Sequence, residues 1–162
     1  MIKFLLGLAI VCLCTCFGYL LASNYRNRKH FYKEMRDFNE RFLNEISYYK
    51  RPLGEFIIKY KYNGYFELLI RAFQQQLNKS AQPKFVDLRD FAFLKKEETG
   101  FIDDYFQMLG RGDSSSQKAY FSAMKEEIQK RYNLAESEYK KYGDLYIKLG
   151  FLCGLFLLIL IV

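Results

Sequence analysis

Residues 4–22 read FLLGLAIVCLCTCFGYLLA, nineteen residues without a charge. A helix of about 20 apolar residues crosses the ~30 Å hydrocarbon layer of a bilayer. The run is longer than the apolar core of a secretory signal peptide, about 7–15 residues, and no small-x-small cleavage site follows it. We therefore expect an uncleaved anchor, transmembrane helix 1, over residues 3–24, rather than a cleaved leader.

A second apolar run, LGFLCGLFLLILIV, occupies residues 149–162. Fourteen residues reach about 21 Å as a helix, and the preceding turn, with Lys148 extending toward the headgroups, brings the segment close to spanning length. We predict transmembrane helix 2 over residues 148–162; a buried core helix is the alternative. The predicted organisation is two spans flanking a helical domain over residues 25–147.

Charge next to the spans predicts the orientation. The chain has 162 residues and a net charge of +7. Outside the spans lie only Lys3 and the amino terminus, whereas seven basic residues flank the spans on the side of the connecting region: Arg26, Arg28, Lys29, Lys33, Lys140, Lys141 and Lys148. The positive-inside rule therefore places residues 25–147 in the cytoplasm of a two-span protein of the cell membrane. Acidic residues are interleaved with these basic ones, so a nucleic-acid partner is not expected.

The connecting region has the apolar periodicity of helices. Apolar residues recur every three or four positions at Phe31, Met35, Phe38, Phe42, Ile46 and Tyr49, which predicts one amphipathic helix that continues from the first span and ends before Pro52. Pro52 then suits the first position of a second helix, to about Tyr62.

Later segments predict further helices. One runs over residues 66–77. Residues 84–96 form an ambiguous apolar stretch that we assign to helix and expect to break at Thr99-Gly100. A short helix over 102–109 follows, and Asp113 or Ser114 caps a last long helix that enters the second span. The predicted class is all-α: a membrane protein in which two antiparallel helices form a stalk and the shorter helices a distal cap.

No residue pattern in the chain indicates catalysis. His30 is the single histidine, and the four cysteines (Cys12, Cys14, Cys16 and Cys153) lie inside the apolar runs. Positions two apart on a helix diverge by about 200°, so the first three cysteines do not converge on one ion. We expect no enzyme, no catalytic residue, no metal and no cofactor.

Small residues recur four apart in both apolar runs. Gly150 and Gly154 share one face of the second, and Gly18 lies between Cys14 and Ala22 in the first. Such ladders allow two membrane helices to approach closely. We predict packing of the spans at Gly18, Gly150 and Gly154; glycines that face lipid by chance are the alternative.

Three stretches carry a resemblance to stage III sporulation protein AB: EISYYKRPLGE at residues 45–55, LGRGD at 109–113 followed by Gln117, and LYIKLGFLCGL at 145–155. The matching positions are Glu45, Pro52, Leu53, Gly110, Asp113, Gln117, Tyr146, Leu149 and Gly150.

The resemblance implies a helical domain similar to that of the type II secretion platform protein, on the mother-cell side of the membrane around the forespore. It implies a non-enzymatic subunit of a transenvelope secretion or channel complex. The implied partners are the lipid bilayer, a secretion-type ATPase similar to stage III sporulation protein AA, and the other membrane subunits. Candidate docking residues, taken as distal, are Lys50, Arg51, Lys79, Lys95, Lys96, Glu97 and Glu98. The alternative is a membrane-tethered helical adaptor or sensor unrelated to secretion.

Overall fold

The computed structural model describes residues 2–49, 52–79 and 91–161, and all of their regular structure is helical. This confirms the predicted all-α class for these residues. The elements are α1 (Ile2–Asn44), a π-helical turn (Glu45–Tyr49), α2 (Leu53–Lys59), α3 (Gly64–Lys79), α4 (Lys96–Met108), α5 (Ser114–Glu138), a second π-helical turn (Tyr139–Gly143) and α6 (Asp144–Ile161).

The chain divides into two compact units. Unit 1 combines the described parts of residues 1–29 and 134–162, and unit 2 consists of those of residues 30–133. Unit 1 is larger than the two predicted spans: it continues to residue 29 instead of ending at 24, and it resumes at residue 134 instead of 148. The turns of α1 and α5 next to the spans therefore pack with the apolar runs.

Unit 1 holds the two apolar segments as an antiparallel pair. Gly7 lies beside Leu158, and Gly18 lies beside Gly150, so the residue order on one helix reverses along the other. Among the described residues, two helices are long and apolar enough to cross a membrane, with mean hydropathy 1.7 and 1.9 in their most apolar windows. Only 22% and 11% of those windows is buried. Most of the apolar surface therefore faces outward, which suits lipid better than a soluble core.

Unit 2 is built around aromatic rings. Phe38 of α1 lies 5.3 Å from Phe56 and 5.6 Å from Phe66, measured between ring centroids, and both contacts are edge-to-face. Residues 30–44 of α1 run antiparallel to α5, since Phe42 lies 4.8 Å from Phe121 between ring centroids while the earlier Arg36 lies 4.7 Å from the ring centroid of the later Tyr132. Large rings in edge-to-face contact fill this core, as the high phenylalanine and tyrosine content leads one to expect.

The predicted helix over 84–96 is wrong for residues 91–95, and residues 84–90 lie outside the described part. A tight turn joins Phe91 to Leu94, whose N–H donates to the Phe91 carbonyl at 2.8 Å. Phe91 and Phe93 both reach Phe31, at 6.0 and 5.9 Å between centroids. Residues two apart do not share a helix face, so burial of both rings against Phe31 requires a non-helical backbone.

The expected break at Thr99-Gly100 is also wrong, because α4 passes through it from Lys96 to Met108. The Glu98 carboxylate accepts the Lys95 N–H at 2.9 Å and so satisfies an unpaired donor at the start of the helix. Thr99 turns its hydroxyl onto the Lys96 carbonyl at 2.7 Å. Gly100 inside a helix costs only about 1 kcal/mol relative to alanine.

The helix predicted to run unbroken to Pro52 changes form at Glu45. The five-residue π-helical turn Glu45–Tyr49 follows α1, and a wider turn shifts the face that later residues present. Tyr49, expected on the buried stripe, is 59% exposed. The second predicted helix is likewise shorter than expected and ends at Lys59.

Candidate functional site

The closest approach of the two apolar helices occurs at their glycines. A Cβ at Gly18 would lie 2.5 Å from the Tyr146 carbonyl oxygen, and one at Gly154 would lie 2.8 Å from the Cα of Val11. Real Cβ atoms do not come this close to backbone, so the packing requires glycine at these positions. We call this contact the glycine seam (Gly18, Gly150 and Gly154).

An apolar groove of about 300 Å³ runs beside the glycine seam. Both helices line it, with Cys14, Phe17, Gly18, Leu21, Tyr146, Leu149, Gly150 and Cys153. Phe17 and Leu149 are 66% and 46% exposed. The seam therefore joins α1 to α6 while large apolar side chains face outward beside it.

Charged pairs join α1 to α5 within unit 1, beyond the apolar segments. Arg28, only 4% exposed, forms an ion pair with Glu138. The Lys29 ammonium lies 3.2 Å from the Glu136 carboxylate and 5.4 Å from the centroid of the Tyr139 ring. A half-buried charge without a partner carries a large desolvation cost, so these pairs specify which faces of α1 and α5 meet.

The π-helical turn beside these pairs depends on Gly143. A Cβ on Gly143 would lie 2.8 Å from the Tyr139 ring, so the missing side chain leaves room for that ring. Tyr25 of α1 stacks on Tyr146, with ring centroids 6.0 Å apart, and makes a tilted contact with Tyr142 at 5.6 Å. Tyrosines beside basic groups are typical of the membrane–water interface.

The end of unit 2 where α1 ends and α5 begins, here called the distal end, brings Leu53 and Gly110 together. Gly110 has φ +77°, and a Cβ there would lie 2.9 Å from Cδ2 of Leu53. The positive φ and the contact both favour glycine. The turn after α4 therefore packs directly on the start of α2.

Asp113 caps α5 in this same turn. Its carboxylate accepts the Ser115 N–H at 3.2 Å, and its backbone carbonyl accepts the Gln117 N–H at 3.0 Å. The Ser115 and Ser116 hydroxyls hydrogen-bond the carboxylate and hold the pKa of Asp113 well below its usual range. The Gln117 amide reaches the Gly112 carbonyl at 3.5 Å, so Asp113 and Gln117 together order the start of α5.

Glu45 is almost fully buried beside α2. It is 2% exposed, and its carboxylate lies 3.6 Å from the Lys59 ammonium. This ion pair joins the first π-helical turn to α2. In the part of the chain that the structure describes, no three His, Cys, Asp or Glu side chains are grouped so that they could hold a metal ion.

The model of one protein family, stage III sporulation protein AB, matches residues 3–162. The chain belongs to the stage III sporulation protein AB family. Its membership confirms the resemblance carried by the three sequence stretches and implies a role in sporulation. No curated protein and no solved structure matches the chain.

The positions that resemble stage III sporulation protein AB fall into two groups in the structure. Glu45, Leu53, Gly110, Asp113 and Gln117 lie in the segments that form the distal end of unit 2. Tyr146, Leu149 and Gly150 line the groove beside the glycine seam. Pro52 precedes α2 and accepts the Glu55 and Phe56 N–H groups at 3.1 and 3.2 Å. These residues therefore shape turns and helix contacts.

The described members of the predicted docking set do not lie at the distal end. Lys50 and Arg51 lie outside the described residues, as does the side chain of Lys79. The expectation that Glu98 is a distal surface residue is wrong: it is 3% exposed and accepts the Tyr32 hydroxyl at 2.8 Å. Tyr32 lies at the start of unit 2, so α4 begins at the opposite end from Glu45. Lys95, Lys96 and Glu97 begin the same helix and are not distal either.

Sequence reasoning also missed a buried polar group in this family member. Asn39 is 1% exposed; its amide donates to the Phe121 carbonyl at 3.1 Å and its oxygen accepts the Tyr105 hydroxyl at 3.0 Å. The sequence did contain a signal for this burial: Asn39 follows Met35 by four residues and therefore lies on the apolar face of the helix.

Proposed function

We propose that this protein is a non-enzymatic membrane platform subunit of a sporulation-specific secretion or channel complex between mother cell and forespore. Two spans anchor it in the cell membrane, and a cytoplasmic helical unit on the mother-cell side docks a secretion-type ATPase similar to stage III sporulation protein AA. Other membrane subunits of the complex contact it within the bilayer.

One observation carries the proposal: a member of the stage III sporulation protein AB family has two apolar helices paired along the glycine seam, with a separate compact helical unit between them in sequence. Backbone contact at Gly18 and Gly150 makes the hairpin a defined anchor rather than two independent tethers. The residues that resemble the family support helix contacts within each of the two units, as suits a protein that transmits force or positions partners.

The cytoplasmic placement of residues 25–147 rests on the basic residues that flank the spans. Protease added to intact protoplasts should leave this region whole and should digest it once the membrane is opened with detergent. A cytoplasmic marker protein is the control for membrane integrity. Digestion from outside in intact protoplasts would place the helical unit on the other face of the membrane.

Purification of the tagged full-length protein from sporulating cells in mild detergent tests the ATPase partnership. We expect a secretion-type ATPase and small membrane proteins encoded nearby to co-purify. A tagged membrane protein of similar abundance from the same cells controls for non-specific recovery. Recovery of a kinase or receptor without any ATPase would instead support the membrane-tethered adaptor or sensor.

The assignment of Lys95, Lys96 and Glu97 as ATPase contacts stays a prediction, although these residues do not lie at the distal end. Reversal of charge at both lysines should weaken ATPase recovery if they contribute. An unchanged recovery would remove them from the interface while leaving the rest of the proposal intact.

A further inference from the structure

Three large side chains near the distal end of unit 2 face solvent. Tyr48 is 79% exposed, Ile58 is 69% exposed and Tyr49 is 59% exposed. We define the Lys59 patch as Tyr48, Tyr49, Ile58, Lys59 and Tyr60. Single exposed apolar residues are ordinary, but several of them on two segments that the Glu45–Lys59 ion pair joins favour an interaction surface.

Lys59 holds the patch together. Its ammonium lies 5.2 Å from the centroid of the Tyr49 ring and 5.0 Å from that of Tyr60. The same ammonium is 3.6 Å from the buried Glu45 carboxylate, which anchors it. Rings that are already positioned lose less conformational entropy when a partner binds, so the patch is preorganised for contact.

The surroundings of the patch are basic. Among the described side chains of residues 41–61, three are basic and two are acidic: Arg41, Lys59, Lys61, Glu45 and Glu55. Glu45 is buried against Lys59, which leaves Glu55 as the exposed acid of this stretch. The Arg41 guanidinium lies 4.9 Å from the Tyr60 ring centroid and adds positive charge beside the patch.

We propose that the Lys59 patch is a docking surface for a protein partner whose matching surface is acidic and carries an apolar side chain. The inference rests on the proposed function, in which that partner is the secretion-type ATPase, and it assigns the side of unit 2 that the ATPase contacts. Tyrosine is enriched at protein interfaces. An exposed aliphatic Ile58 suits a protein pocket better than a nucleic acid.

Binding of the purified ATPase to the full-length protein in detergent tests the assignment. We expect Ile58→Ser to raise the Kd about tenfold, as for a side chain at the centre of an interface. Leu68→Ser is the matched control, since Leu68 is 58% exposed on α3 outside the patch. Lys61→Glu should weaken binding and reduce its salt dependence, because it removes an attraction to acidic groups. Lys130→Glu, exposed on α5, is the control for charge.

The outcomes separate this inference from the proposed function. Loss of affinity for Ile58→Ser and Lys61→Glu, with both controls near wild type, supports the patch. Binding that is strong and equal for all variants overturns the patch while the ATPase partnership stands. Failure of the wild-type protein to bind the ATPase overturns both. Self-association of the wild type that Ile58→Ser abolishes in sedimentation would instead identify a second copy of this chain as the occupant.

Discussion

Gly18 and Gly150 face each other in unit 1 so closely that a Cβ on Gly150 would lie 3.2 Å from the Cα of Gly18 and 2.6 Å from the Cys14 carbonyl oxygen. Both neighbouring atoms belong to the backbone, so no side-chain rotation could make room for the added Cβ. Helices in lipid gain little from burying apolar surface against each other, so close backbone packing is the main source of their association. The pairing of the two apolar helices therefore depends on these two residues.

Gly150→Val should weaken this pairing, because the added side chain forces the backbones apart. We expect a loss of about 1–3 kcal/mol, the usual cost of overpacking. Unfolding of the full-length protein by SDS, followed by circular dichroism, measures it. Leu152→Val is the control, since Leu152 is 58% exposed on the same helix. Equal stability of Gly150→Val and wild type would show that the seam does not hold the hairpin.

Tyr105→Phe should destabilise unit 2, because it removes the donor that satisfies the buried Asn39 oxygen at 3.0 Å. A buried acceptor left without a donor costs about 1–3 kcal/mol. Urea unfolding of the full-length protein in detergent gives the change in free energy. Tyr48→Phe removes the same hydroxyl from a side chain that is 79% exposed and should change stability by less than about 0.5 kcal/mol. Similar losses for the two variants would contradict the role of Asn39.

Two glycine-to-alanine changes should have opposite signs. At Gly110, with φ +77° and Leu53 2.9 Å from the added Cβ, alanine should cost about 1–3 kcal/mol. At Gly100, inside α4 with nothing within 4 Å of the added Cβ, alanine should stabilise by about 0.4–1 kcal/mol. Thermal unfolding midpoints compare the two. Stabilisation by Gly110→Ala would mean that the turn does not pack on Leu53.

Alkaline pH should destabilise unit 2. Burial raises the pKa of Tyr62 to about 12, and burial also raises the pKa of Tyr105. An unfolded tyrosine loses its proton near pH 10, so above that pH the unfolded chain binds fewer protons than the folded one and the free energy of unfolding falls. The contribution of Tyr62 is complete below about pH 10 and disappears as the pH rises toward about 12.

Urea unfolding at pH 9, 10 and 11 should show this decline, with a shallower slope for Tyr62→Phe. Tyr48→Phe, a change at a side chain that is 79% exposed, is the control and should leave the slope as in the wild type. A stability that does not change between pH 9 and 11 would mean that Tyr62 and Tyr105 ionise without unfolding.

Local sequence signals were enough for several features. The uncharged runs predicted the two apolar helices, and the small residues four apart marked the faces on which they meet. Asp113 or Ser114 was expected to cap the last long helix, and Asp113 does so, because a cap depends on its own side chain and the next few N–H groups. Such features depend on hydropathy or on contacts a few residues apart, so they are visible without the fold.

Features that depend on contacts between distant residues were missed or wrongly predicted. Phe91 and Phe93 lie in a turn because both rings pack on Phe31, some sixty residues earlier in the chain. Glu98 is buried because Tyr32 donates a hydrogen bond to its carboxylate, and this places the start of α4 at the opposite end of unit 2 from where it was expected.

The amino-acid sequence by itself determined the class of this protein, its apolar segments and its family, since composition, periodicity and short motifs carry that information. Only the tertiary structure decided that the glycines meet across one seam, that Gly110 makes room for Leu53, and that Tyr48, Tyr49 and Ile58 are left on the surface. The reason is that the burial of a side chain depends on which distant segment packs on it. The π-helical turn at residues 45–49 also changes the direction in which the side chains of this turn point.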